Sequence, residues 1–119
     1  MFCFNDKNDL TSVYKGNFNN GLADGMGTLI FDGGLGRYEG QWRNGRYDGL
    51  ALYFQYYTEN NTMIKYEGNW SDGFMHGNGK FNFPDGTSYS GKWVEGRRNG
   101  FGKYTKLDGT SMEGWWAND

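Results

Sequence analysis

Few residues in this chain could do chemistry. His76 is its only histidine and Cys3 its only cysteine, so a His/Cys metal cluster or a Cys–His nucleophile pair has nothing to draw on. His76 precedes Gly77 at the place that Asp24, Asp48 and Asn99 hold before Gly25, Gly49 and Gly100. A polar residue closing a hairpin connection explains all four. Asp85 and Asp108 each stand before a glycine and read as turn residues rather than paired general acids. The run Gly33-Gly34-Leu35-Gly36 leads into neither a helical pattern nor Gly-Lys-Ser/Thr, so it is no phosphate loop. The expectation is a protein that is not an enzyme and that has no cofactor and no metal site.

Charge and composition narrow the partners. A net charge of −2 and a pI of about 5.3 argue against nucleic acid. One cysteine forbids an internal disulfide and points to a reducing, cytoplasmic setting. No apolar run is long enough to span a membrane as a helix, and residues 1–6 lack the pattern of a signal peptide.

The elements that position these residues repeat about every 23 residues. Tyr66-Glu67-Gly68-Asn69-Trp70-Ser71-Asp72-Gly73 and Tyr89-Ser90-Gly91-Lys92-Trp93-Val94-Glu95-Gly96 share the pattern Tyr-x-Gly-x-Trp-x-x-Gly. The pattern also starts at Tyr38 and, with Phe18 in the Trp place, at Tyr14; Met112, Gly114 and Trp116 form a partial copy. A second half follows each Trp half, as in Gly77-x-Gly79-x-Phe81 and Gly100-x-Gly102-x-Tyr104. Self-similarity at this period means stacked supersecondary units.

Both halves alternate with period two, the signature of strands. Asn20-Gly21, Asn44-Gly45 and Asp72-Gly73 within units, and Asp85-Gly86 and Asp108-Gly109 between them, supply the positive φ angles of tight hairpin turns. With 21 glycines and 19% aromatic residues but only 36% hydrophobic ones, the chain lacks the aliphatic side chains of a two-layer core. It can cover one face of a single sheet with interlocking rings. Glycine recurs on the Tyr/Trp face, which is explained if a ring from a neighbouring strand lies over the bare backbone. The predicted fold is all-β: a single-layer, elongated, twisted antiparallel meander of repeated β-hairpins. The units are residues 14–37, 38–65 (with a longer return hairpin), 66–88 and 89–111, then a half unit at 112–119. Residues 1–13 read as a half-hairpin cap in which Phe2 and Phe4 alternate and 5–9 turn.

These motifs resemble the MORN repeat, whose consensus runs roughly Tyr-x-Gly-x-Trp-x-x-Gly-x-x-x-Gly-x-Gly and closes near Asp-Gly. The likeness covers residues 14–116. It implies one hairpin per repeat and a role in assembling protein complexes, often cytoskeletal or ciliary, with a link to phospholipid binding. Phe18 for Trp, an extra residue near Leu35, and Ala51 in the second Gly place depart from the pattern.

Three sets of residues are candidates for partner contact. The groove set is Tyr38, Trp42, Tyr66, Trp70, Tyr89 and Trp93, rings that hold the sheet and can also touch a partner segment. The outer set is Leu50, Leu52 and Phe54, joined by Met26 and Ile30 into an apolar patch on the polar face; the alternative is a bulge near Ala51 that turns this strand inward. The basic set is Lys92, Arg97, Arg98, Lys103 and Lys106, for which a solvated edge kept soluble by lysine is the favoured explanation. Arg46-Tyr47, Phe74-Met75 and Arg97-Arg98 place large side chains at loop tips. The leading expectation is a non-catalytic scaffold that binds a segment of another protein in the aromatic groove or by edge-strand addition, with self-association through edge strands as one form. The alternative is a peripheral membrane adaptor whose basic set meets anionic phospholipids.

Overall fold

A computed structural model describes the backbone at residues 2–4 and 10–117 and the side chains at 12–117. One open antiparallel sheet runs through it, its strands in chain order: β1 (Phe2–Phe4), β2 (Leu10–Asn19), β3 (Leu22–Phe31), β4 (Gly36–Arg43), β5 (Arg46–Tyr57), β6 (Thr62–Ser71), β7 (Phe74–Asn82), β8 (Ser88–Val94), β9 (Arg97–Thr105) and β10 (Ser111–Trp116). The expected meander is the observed one. β1 pairs with β2, while the turn expected at 5–9 lies outside the described residues. The sheet measures 45 × 33 × 19 Å; a depth well beyond a flat pleat reflects strand twist.

The hairpin tips follow from their sequences. Asn20, Asn44, Asp72 and Glu95 have φ near +50°, each followed by a glycine with φ between +81° and +90°, as two-residue type I′ turns require. Between units, the Asp85 carboxylate accepts from the Thr87 N–H (2.9 Å) and hydroxyl (2.6 Å), and Asp108 does the same with Thr110. These bonds hold both carboxyls below their ordinary pKa. The extra residue near Leu35 is taken up by a short 3-10 turn at Asp32–Gly34.

Register aligns like residues across the sheet. Gly16, Gly27, Gly40, Ala51, Gly68, Gly79, Gly91, Gly102 and Gly114 are successive cross-strand partners. Ring-over-glycine packing is present, but at the second-half glycine. A Cβ on Gly79 would stand 2.0–2.5 Å from the Tyr66 ring, whereas one on Gly68 would strike the Gly79 Cα at 2.4 Å. The first-half glycine is therefore required by backbone approach, and the second by the ring.

The hairpins β2–β3, β4–β5, β6–β7 and β8–β9 each carry a bulge, where the sequence reading weighed one only near Ala51. Gly68 faces Gly79 but Trp70 faces Met75, so the returning strand holds two additional residues around Gly77, whose φ is +78°. Gly25, Gly49 and Gly100 occupy the same place with φ of +92°, +98° and +105°. Two residues preserve the in/out alternation of side chains, so the bulge bends the strand without flipping it.

Candidate partner-binding surfaces

The aromatic face is a continuous ladder. Rings meet edge to face from Tyr14 to Trp42 (5.1 Å between centroids), Trp42 to Tyr38 (4.9 Å), Tyr38 to Trp70 (5.7 Å), Trp70 to Tyr66 (5.3 Å), Tyr66 to Trp93 (5.6 Å), Trp93 to Tyr89 (5.3 Å) and Tyr89 to Trp116 (5.6 Å). Each such pair contributes about 0.5–1.5 kcal/mol beyond its area. Phe18, in the Trp place of the first unit, packs edge-on against Tyr14 and is half exposed.

Tyrosine rather than phenylalanine is explained by its hydroxyl, which donates to the carbonyl three residues on: Tyr14 to Asn17 (2.8 Å), Tyr66 to Asn69 (2.9 Å), Tyr89 to Lys92 (3.3 Å), and likewise Tyr38 to Gln41. Burial raises the pKa of all four hydroxyls, since the phenolate would lose its hydration. Trp42 and Trp93 donate their indole N–H to the Gly27 and Gly79 carbonyls, each at 3.1 Å. Trp70 and Trp116 make no such bond; at Trp70 the corresponding carbonyl belongs to Ala51.

The groove set is thus the scaffold itself. Tyr38, Tyr66 and Tyr89 are 0% exposed, Trp42 and Trp70 8% and Trp93 4%. Along the tyrosine row, cross-strand partners alternate between these buried rings and the half-buried Leu29, Tyr53, Phe81 and Tyr104. Sequence reasoning passed over this second set. Its signal was present as the apolar residue two places after each second-half glycine (or Ala51), a position noted only as part of the repeat. Tyr47 stacks flat on Tyr38 at 3.8 Å, and its hydroxyl is pushed up to about 12 by burial. At one end of the row, Phe83, Thr87, Arg98 and Tyr104 line a cavity of about 360 Å³.

The outer set lies where the alternation puts it. Leu50, Leu52 and Phe54 face outward despite the bulge, with Leu50 62% exposed and the other two half-buried. They do not join Met26 and Ile30. β4 intervenes, placing Arg37 between Ile30 and Phe54 and Gln41 opposite Met26. Phe54 instead lies between Arg37 and Lys65, and Leu52 between Glu39 and Glu67. Arg37 pairs with Glu39 and Lys65 with Glu67 (2.6 Å), two rails of paired charge beside a narrow apolar stripe.

The basic set and the supposed tip residues divide between faces. Lys92, Arg97, Lys103 and Lys106 are exposed, but Arg98 turns to the aromatic face, its guanidinium 4.4 Å from the Trp116 ring centre and 5.6 Å from that of Tyr89. Tyr47 and Met75 likewise pack on the core, leaving Arg46, Phe74 and Arg97 exposed. Asp24 and Asp48 close a connection between units: each carboxylate accepts from the next unit's turn, at Asn44 N–H (3.2 Å) and Asp72 N–H (3.4 Å). His76 is exposed in the same row. Among the described residues no three of His, Cys, Asp and Glu converge on a metal-sized site.

A family model described as MORN repeat matches residues 14–35, 38–54, 66–88 and 89–111. The chain belongs to the MORN repeat family. MORN repeats are generally associated with protein–protein or membrane interactions and are typically non-catalytic modules. A comparison with curated proteins gave no match.

Proposed function

We propose that this chain is a non-catalytic interaction module that holds a segment of another protein against its aromatic face. The observation that carries this reading is the alternation along the tyrosine row. Buried Tyr14, Tyr38, Tyr66 and Tyr89 fix the sheet, while Leu29, Tyr53, Phe81 and Tyr104 between them keep accessible surface. The accessible members recur every second strand, roughly 10 Å apart. A partner crossing the strands would match them with an apolar residue at about every third position if extended, or about every seventh if helical. Aromatic residues held by a rigid scaffold are strong anchors for such side chains. The cytoplasm, and within it a cytoskeletal or ciliary assembly, is the setting we propose, on the single cysteine and the family.

Replacing Tyr53 and Tyr104 together with Ala tests this reading. The variant should keep its circular dichroism and lose partner capture in pull-downs read by mass spectrometry. Capture unchanged in a folded double variant would overturn it. The five-cation lipid surface is a weaker alternative, because Arg98 faces the rings.

A further inference from the structure

The outer face of β7–β10 differs from that of β4–β6. In β4 and β6 the outward cations Arg37 and Lys65 are each paired with a carboxylate on the same strand. In β7–β9 the outward Lys80, Lys92 and Lys103 are exposed and make no ion pair among the described residues. Lys80 and Lys103 flank Ser90 as its partners on either side, which sets them about two strand spacings, roughly 10 Å, apart. Lys92 lies on the strand between them. Two strand carboxylates face these lysines: Glu113, opposite Lys103, and Glu67, opposite Lys80 but already bonded to Lys65.

An exposed aromatic pair adjoins these lysines. Phe101 and Trp115 are direct partners on β9 and β10, 47% and 81% exposed, with rings 5.6 Å apart at 72°. A Cβ on neighbouring Gly100 would lie 3.1 Å from that of Lys92, so the bulge brings the pair beside the lysine. The pair supports the sheet as one cross-strand contact but leaves much of its apolar surface open, and Trp is among the residues enriched in binding hot spots. In a chain of net charge −2, three exposed lysines facing two carboxylates, one of them already bonded to Lys65, select an anionic partner by charge complementarity.

We propose that this outer surface docks an acidic protein segment carrying an aromatic or aliphatic anchor. The anchor packs on Trp115 and Phe101, and carboxylates spaced to span roughly 10 Å meet Lys103 and Lys80, with Lys92 between. This proposal rests on the reading of the chain as a protein-interaction module, but uses the face opposite the tyrosine row. An anionic membrane fits less well: Glu113 stands two residues from Trp115, and a twisted sheet 19 Å deep brings few of its charges to one plane.

The test uses the full chain and a fluorescein-labelled peptide alternating Glu with Phe and Leu, beside a Lys-for-Glu version and phosphatidylserine vesicles. Anisotropy should show the acidic peptide binding and the basic one not, with affinity falling steeply as salt rises. Trp115→Ala and the double variant Lys92→Glu/Lys103→Glu should each bind roughly tenfold more weakly. Tyr53→Ala, on the other face, should bind as the parent does. Loss of binding in Tyr53→Ala with none in the outer-face variants would assign the peptide to the tyrosine row and overturn this proposal while sparing the first. No peptide binding, or binding to vesicles alone, would overturn it as well. All these substitutions but Tyr53→Ala fall on exposed side chains, and circular dichroism checks the fold of each.

Discussion

Gly79→Ala should be among the most damaging single-methyl additions in the chain. The new Cβ would lie 2.0 Å from the Tyr66 hydroxyl oxygen and 2.3–2.5 Å from two ring carbons. Tyr66 has nowhere to go: it is 0% exposed, bonded to the Asn69 carbonyl at 2.9 Å, and held between Trp70 and Trp93 at 5.3 and 5.6 Å. Overpacking of this kind costs about 1–3 kcal/mol. Weakening the hydroxyl bond and two ring pairs adds about 1–2 kcal/mol more, for a total of roughly 2–5 kcal/mol. Gly114→Ala is the matched control, since it lies in the same glycine row with nothing within 4 Å of its Cβ, and should shift stability by less than about 0.5 kcal/mol. Urea unfolding followed by tryptophan fluorescence compares the two. Equal midpoints for Gly79→Ala and the parent would refute the claim that the ring demands glycine.

Tyr66→Phe keeps the ring but deprives the Asn69 carbonyl of its donor, and should cost about 1–2 kcal/mol in the same urea assay. Stability should fall as pH rises above 10, because burial holds the Tyr38, Tyr47 and Tyr66 hydroxyls above the ordinary tyrosine value. The unfolded chain then releases protons first and is favoured, with stability full below pH 10 and lost progressively toward and beyond about 12, the value of Tyr47; thermal melts across pH 8–12 would show the decline or its absence. Phe54→Glu should be tolerated better than Phe54→Lys, by about 0.5–1 kcal/mol, because its cross-strand partners are Arg37 and Lys65. Equal unfolding midpoints for the two would contradict that placement.

Much of the fold was legible because its signals are local. Asn44-Gly45 and Asp72-Gly73 announce their turns, and strict alternation put Tyr66, Gly68 and Trp70 on one face before any register was known. What escaped were features that local pattern does not encode. The bulge at Gly77 adds two residues and leaves the alternation intact, so Met75 and Arg98 looked like tip residues although they pack inward. Ile30 and Phe54 share a face and an apolar character, but only the register reveals Arg37 between them. Tyr53, Phe81 and Tyr104 carry the same periodicity as the buried tyrosines. Their partial exposure comes from which strand each occupies, a tertiary property that a repeat pattern averages away.

The most direct test of the partner-binding claim is a photo-crosslinking scan with benzoylphenylalanine at Tyr53, Phe81 and Tyr104, and for comparison at Lys15 and Thr28, cross-strand partners on the outer face away from the lysines of β7–β9. In extract, the three aromatic-face positions should each crosslink to one protein, in peptides whose order along that protein follows the order of the strands. Crosslinks of equal yield at Lys15 and Thr28, or to unrelated proteins at each position, would contradict it.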